Sequence, residues 1–114
     1  MHDASLHALA RAIGSHPDLQ RALDAAPDVP PLALPDAARP AAVAAIAARV
    51  QRPLVWLVAE ADEARANHDA LRALAAPGVA VHIMPAPDAL PFERLVWDPA
   101  TREARIAALL ALQS

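Results

Sequence analysis

A continuous apolar run, Pro-Leu-Val-Trp-Leu-Val-Ala, occupies residues 53–59 and contains no polar side chain. Its β-branched and aromatic residues favour a strand, and the lack of apolar/polar alternation is typical of a strand that is covered on both faces. A second largely apolar run, Val79 to Met84, and a minimal one, Leu32 to Leu34, have a similar character. The sequence therefore predicts three strands, near residues 32–34, 54–59 and 79–84.

Helical apolar spacing separates these predicted strands. A helix is expected to follow the first strand, with Pro40 in its first turn, where a missing N–H costs nothing. The apolar stripe of this helix is Val43, Ile46, Ala47 and Val50. A helix over Glu60 to Ala75 follows the second strand, and a last helix from about Ala100 follows the third. The expected inner faces of these two helices are Ala64, His68, Leu71 and Leu74, and Ile106, Leu109 and Leu110.

Strands that alternate with helices predict an α/β fold with a short parallel sheet and right-handed crossovers. Truncation of Leu57 to alanine is then expected to cost about 2 to 5 kcal/mol, because the side chain would be lost from a packed interior. The residues expected to form that interior are Val43, Ile46, Val55, Leu57, Leu71, Val81 and Ile83.

The start of the chain has a different organisation. Two short helical patterns are separated by Gly14-Ser15-His16-Pro17, and the proline-rich stretch Pro27 to Pro31 then acts as a linker. We therefore expect a helical N-terminal extension over residues 1–28, followed by the α/β subdomain over residues 29–114.

Composition limits the possible functions. The chain has 114 residues, a net charge of −3 and no cysteine, which excludes disulfides and a cysteine metal site. Its arginines are scattered among carboxylates, so we expect no strong DNA binding. The first residues are charged and lack a long apolar stretch, so we expect no signal peptide, no membrane partner and a cytoplasmic location.

The turn after the first predicted strand occupies the place of a phosphate-binding loop. Such a loop needs glycines, so that successive N–H groups face the anion, and a lysine that reaches the outer phosphates. This turn has neither, and it adds two prolines and an aspartate; its residues are Leu34, Pro35, Asp36, Ala37, Ala38, Arg39 and Pro40. We interpret it as a lost phosphate loop that binds no ATP or other cofactor.

Other candidate chemistry has simpler explanations. The histidines, His2, His7, His16, His68 and His82, lie at spacings that do not suit a shared metal ion. We expect His68 at the edge of an inner helix face and His82 directed to solvent or a hydrogen bond. Glu60, Asp62 and Glu63 suit a helix start, where acids complement the macrodipole. We therefore predict no catalytic residue and no metal site.

The segment from Pro85 to Pro99 contains four prolines and three acids and is expected to be an exposed, irregular loop. Its bulky aromatic residues, Phe92 and Trp97, are a possible contact for a protein partner. The alternative is that one of them packs against the third predicted strand.

Three stretches resemble the N-terminal region of the bacterial transcription-repair coupling factor, which is similar to the DNA-repair protein excinuclease B. They are "LALPDAARPAAVAAIAARVQRPLVWLVAEADEARANHDALRAL", "VHIMPAPDALPFERL" and "TREARIAALLAL", and they cover roughly residues 32–112 in order. The resemblance implies a three-layer, helicase-like partial domain with a degenerate P-loop. The chain departs from the family pattern in Pro35, Asp36 and Pro40, where family members commonly keep glycine and small hydroxyl residues.

The resemblance also implies a function. The parent protein would be an ATP-dependent DNA translocase that displaces stalled RNA polymerase and recruits the excision-repair protein excinuclease A, both through other domains. This chain would be a non-catalytic scaffold segment that contacts the remainder of the coupling factor in cis. Two alternatives stay open from the residues alone: a small α/β ligand-binding, nucleotide or phosphosugar enzyme domain, and a free-standing adaptor that binds a protein through the Pro85 to Pro99 loop.

Overall fold

The computed structural model describes residues 2–114, with side chains from Leu6 onward. Met1 and the side chain of His2, both within the predicted N-terminal extension, lie outside these described residues. The elements in chain order are α1 (His2–Gly14), α2 (Pro17–Asp24), a short 3₁₀ helix (Asp36–Ala38), α3 (Arg39–Arg49), α4 (Ala61–Leu74) and α5 (Pro99–Ala111).

Local sequence signals explain where the helices begin. His16 caps α2, because its Nδ1 accepts a hydrogen bond from the Asp18 N–H at 3.3 Å. Prolines occupy the first turns of α2, α3 and α5, where the backbone N–H has no helical partner in any case. The predicted position of Pro40 in the first turn of its helix is confirmed, and so are the approximate bounds of α4 and α5.

The core lies where α1, α3 and α4 pack against one another, with α2 packed on α1. Its buried residues are Ala10, Ala41, Ala44 and Leu74, and the half-buried Ile13, Ala70 and Leu71 pack against them. Small side chains let the helices approach closely. At Gly14, a Cβ atom would lie 2.9 Å from the Cβ of Ala45, so α1 and α3 are in close contact there.

The predicted α/β fold with a parallel sheet is wrong for the described residues, which are 53% helical and contain no strand. Residues 32–34, 54–59 and 79–84 form neither helix nor sheet. Within the described chain, no backbone–backbone hydrogen bond involves residues 51–59 or 80–84. Apolar character makes a segment suitable for a strand, but a sheet also needs a neighbouring strand in register, and these segments do not pair with each other.

The expected interior is wrong in part, although Leu71 packs against the buried cluster as expected. Val55 is 60% exposed and Leu57 is 87% exposed. The other expected core residues are half-buried: Val43, Ile46, Leu71, Val81 and Ile83. Instead, alanines fill the close helix contacts, because in helices that approach this tightly a larger side chain would be overpacked.

The inner face of α4 agrees with expectation, since Leu74 is buried and Ala64, His68 and Leu71 are half-buried. The expected inner face of α5 is wrong. Ile106, Leu109 and Leu110 point away from the protein and are 50%, 53% and 61% exposed. We call these three residues the α5 face.

Helix α5 lies apart from the core, and among the described helices none packs against it. This arrangement gives the molecule an open surface. Its accessible area is 8592 Å² for a mass of 12.0 kDa, whereas a compact monomer of that mass exposes about 6,000 Å². The radius of gyration is 15.9 Å, compared with about 13 Å for a compact domain of this length.

Candidate functional site

The turn at Leu34 to Pro40 is built around the short 3₁₀ helix that leads directly into α3. The Ala38 N–H donates to the Pro35 carbonyl at 2.9 Å, and the Arg39 N–H donates to the Asp36 carbonyl. Pro40 has no N–H to donate. Two backbone donors of the turn are thus used within it and do not face a phosphate.

The side chains at this turn are also engaged within the protein. The Arg39 guanidinium pairs with the Asp36 carboxylate at 2.9 Å, and both groups are substantially exposed. Pro40, Ala41 and Ala42 are buried, so the first turn of α3 faces the protein interior and not a ligand. The structure therefore brings the residues of this turn together in a self-contained helix start. That the turn binds no ATP stays a prediction.

The loop from residue 85 to 98 carries the two aromatic residues that were considered for a partner contact. Phe92 is 80% exposed. Trp97 is half-buried, and the Arg105 guanidinium lies over its ring at 5.3 Å from the ring centroid. This cation–π contact holds Trp97 against α5. Of the two aromatic side chains, Phe92 is therefore the one that is free to meet a partner.

Hydrogen bonds fasten this loop to the start of α5. The Asp88 carboxylate accepts from the Asp98 N–H at 2.8 Å and from the Thr101 hydroxyl at 3.2 Å. Asp98 caps α5 through bonds from the N–H groups of Ala100 and Thr101. Loop and helix consequently form one unit.

A second link joins the other end of the loop to α5, because Arg105 Nη1 donates to the Pro85 carbonyl at 2.5 Å. Sequence reasoning missed these linking residues. An Asp-Pro pair before an apolar helical pattern is a helix-start signal, so Asp98 could have been found. Asp88 and Arg105 carry no local signal, because their partners are ten or more residues away along the chain.

The apolar side chains around Phe92 are also exposed. Leu90 is 52%, Leu95 63% and Val96 92% exposed. With the three residues of the α5 face, seven large apolar side chains between residues 90 and 110 are thus at least half exposed. Exposed apolar side chains that lie together are a feature of interaction surfaces.

The histidines occupy separate places. His7 Nδ1 lies 3.4 Å from the Leu74 carbonyl, His16 caps α2, and His68 Nδ1 lies 3.4 Å from the Asp69 carboxylate. His68 is half-buried on α4, as expected, and His82 is exposed, but the strand from which it was expected to point is not formed. In the part of the chain that the structure describes, no group of three or more histidine or acidic side chains converges on a possible metal position.

The carboxylates that could have served as acid and base lie at the start of α4. Asp62 and Glu63 are in its first turn, and Glu60 precedes it. Asp62 accepts a hydrogen bond from Arg65 at 2.5 Å in an exposed pair. They are helix-start acids, as the sequence indicated.

An open cavity of about 410 Å³ lies between α1, α2 and α3. Asp24 and Arg49, which lie along it, form an ion pair with each other, so their charges are largely matched without a ligand. Its other polar side chains are His7, Arg11 and Gln20. The alternative of an α/β enzyme placed the ligand beyond the strand ends of a sheet, and the described residues contain no such sheet.

No protein-family model, curated protein or solved structure matches the chain at a significant level. Within residues 2–114, none of the helices combines the length and the apolar character needed to cross a bilayer.

Proposed function

We propose that the chain is a non-catalytic scaffold segment of a bacterial transcription-repair coupling factor. This cytoplasmic DNA-repair protein would displace stalled RNA polymerase and recruit the excision-repair machinery through other domains. The proposal draws its identity from the three stretches over residues 32–112 that resemble that family. It does not depend on the helicase-like sheet, which the described residues lack.

The observation that carries a scaffold function is the uncovered apolar surface formed by the α5 face and the loop beside it. Ile106, Leu109 and Leu110 are each at least half exposed, and Phe92 is 80% exposed. In water this surface is unfavourable, at roughly 25 cal/mol for each Å² of apolar area, so its burial would stabilise an assembly. The remainder of the coupling factor is the proposed cover.

The polar groups of the chain support a role without catalysis. Arg39 is paired with Asp36 and Arg49 is paired with Asp24, so two of the cations nearest to candidate ligand positions are already matched. The bonds of Asp88 and Asp98 hold the loop against α5 and thereby fix the position of the apolar surface. Such bonds position a docking surface and perform no chemistry.

The test is a reconstitution in trans. A coupling factor that lacks its N-terminal, excinuclease-B-like region is mixed with this chain, and complex formation is measured by sedimentation velocity. We expect a complex, and Leu109→Asp should abolish it because the new charge would have to be buried. Ala107→Asp adds the same charge at an exposed position beside the α5 face and should leave the complex intact.

Two results would overturn the proposal. One is the absence of any complex at concentrations of about 100 µM, where even weak docking between neighbouring domains is detected. The other is ATP hydrolysis by the purified chain at a rate that follows its concentration through purification.

A further inference from the structure

The segment from Arg52 to Glu60 is an irregular, largely apolar stretch with bends at residues 52 and 59, and its backbone is unpaired. Its backbone makes no hydrogen bond within the described chain before the Glu60 carbonyl, which accepts from the Ala64 N–H. Exposure alternates from Val55 to Val58, since Val55 and Leu57 are exposed while Trp56 and Val58 are half-buried; Leu54 before them is exposed as well. A period of two is the signature of a strand with two distinct faces. Glu60 itself has extended backbone angles, with φ −120° and ψ 144°.

The pattern of apolar residues in this segment is symmetric about Trp56, with Leu54 and Val55 before it and Leu57 and Val58 after it. In an antiparallel pair of two copies centred on Trp56, Leu54 lies opposite Val58, and Val55 lies opposite Leu57. An apolar residue therefore meets an apolar residue at each of these positions, and cross-strand pairs of this kind stabilise a sheet.

Charge complementarity selects the same register. In a pair centred on Trp56, Arg52 of each copy lies opposite Glu60 of the other. Both side chains are exposed. Neither has an ion-pair partner among the described side chains. A shift of the register by two residues in either direction would place Glu60 opposite an apolar residue and leave its charge unmatched.

Proline determines which edge of the segment can pair. Pro53 has no N–H, so it must lie at a position whose backbone points away from the partner. The even-numbered residues then direct their N–H and C=O groups to the partner, and each of them has an N–H. The paired positions of Leu54, Trp56 and Val58 supply about six backbone hydrogen bonds between the copies.

The chain as a whole has exposed area that a partner can cover. It exposes 8592 Å², about 2,600 Å² more than a compact monomer of its mass, and a standard protein interface takes about 800 Å² from each partner. The segment contributes to this excess through Val55 and Leu57, which are 60% and 87% exposed.

We propose that the chain forms a symmetric homodimer in which residues 52–60 of two copies pair as antiparallel strands centred on Trp56. The interface is isologous, so the Arg52 and Glu60 pair occurs twice. This inference goes beyond the scaffold function and uses none of the residues of the α5 face. Its failure would leave the reconstitution experiment above unaffected.

Charge reversal tests the register. Arg52→Glu and Glu60→Arg each replace two attractive pairs by two repulsive ones, and each should raise the dimer dissociation constant by about thirtyfold. The double variant Arg52→Glu/Glu60→Arg should restore the wild-type value. A mixture of the two single variants should form a heterodimer, because one copy then carries glutamate at both positions and the other carries arginine at both. Sedimentation equilibrium measures the dissociation constants of the two single variants, the double variant and the mixture.

Disulfide trapping gives an independent measurement, because the chain contains no cysteine. Trp56 is the one position that lies opposite itself, at a Cα–Cα separation of about 5.5 Å, which a disulfide can bridge. Trp56→Cys should therefore cross-link to itself under mild oxidation. Leu54→Cys should not, since its copies are about 14 Å apart along the strand, but it should cross-link to Val58→Cys.

Three outcomes would overturn the dimer. The chain could remain monomeric at about 500 µM. The charge variants could all dimerise like the wild type while Leu109→Asp abolishes association, which would place the interface on the α5 face. Leu54→Cys could cross-link to itself, which would require a different register.

Discussion

Leu74 is the large buried side chain of the cluster between α1, α3 and α4, so its truncation measures how far that cluster holds the chain together. It is 9% exposed and packs with Ala10, Ala41 and Ala44. Leu74→Ala removes the equivalent of about three methylene groups, which are worth about 2.4 kcal/mol in transfer free energy. The neighbouring alanines belong to closely packed helices and cannot fill the space, so a cavity contribution adds to this loss.

The expected total cost of Leu74→Ala is about 3 kcal/mol in the free energy of unfolding. For 114 residues, the entropy of unfolding is about 240 cal/mol/K, so the midpoint of thermal unfolding should fall by roughly 12 °C. Leu57→Ala is the matched control, since it makes the same chemical change at a side chain that is 87% exposed. It should cost less than about 0.5 kcal/mol.

Thermal and urea unfolding followed by circular dichroism at the helical band measure both variants. The protein concentration is kept low enough for the chain to be monomeric, so that pairing of residues 52–60 does not contribute. A cost for Leu57→Ala equal to that for Leu74→Ala would refute the reasoning, because it would require Leu57 to be buried in the folded monomer.

Three further results are expected. Gly14→Ala should lower the free energy of unfolding by about 1 to 2 kcal/mol in chemical denaturation, because its new Cβ would lie 2.9 Å from that of Ala45. The double variant Gly14→Ala/Ala45→Gly should regain most of this loss. A stabilising effect of Gly14→Ala would contradict the close approach of α1 and α3. Asp98→Ala should lower the local stability of α5 by about 1 kcal/mol, because the helix loses its N-cap. Amide exchange should then be faster in α5 and unchanged in the core helices. Equal acceleration in α5 and in the core helices would show that α5 is part of the core. Calorimetric titration with millimolar Mg-ATP should give no saturable heat, and a saturable signal that disappears in Arg39→Ala would show that the turn retains a nucleotide site.

The helices could be predicted from sequence because their signals are local. The break at Gly14 to Pro17, the proline in the first turn of α3 and the apolar stripe of α4 each involve residues within a few positions of one another. These signals depend on backbone geometry that the segment itself provides. The structure accordingly has each of these helices close to its expected bounds.

The sheet could not be predicted in the same way, because a strand depends on a partner that is distant in sequence. The run from residue 53 to 59 shows only that the segment can be buried on two faces. Whether another strand lies beside it is decided by the rest of the fold, and in the described residues none does. A buried-strand pattern is therefore also the pattern of a segment that pairs with another molecule.

The candidate site was predictable in its chemistry but not in its connections. The absence of glycine and lysine from the turn at residues 34–40 was evident from the sequence, and the 3₁₀ geometry shows that two of its backbone N–H groups are bonded within the turn. The stacking of Arg105 on Trp97 and the bonds of Asp88 to α5 involve side chains 8 to 13 positions apart that enclose an irregular loop. No periodicity relates such residues, so single-sequence patterns do not reveal them.

The distribution of small and large apolar residues connects the stability of the chain with its proposed function. Alanine at the helix contacts permits close packing but buries little area per residue, so the monomer gains only modest stability from its core. Leu57 is 87% exposed and the three residues of the α5 face are 50% to 61% exposed, so much of their apolar area contributes nothing to the monomer. The residues that hold the monomer together and those that can bind a partner are thus largely different, and a change at the apolar surface can abolish association while leaving the helical core folded.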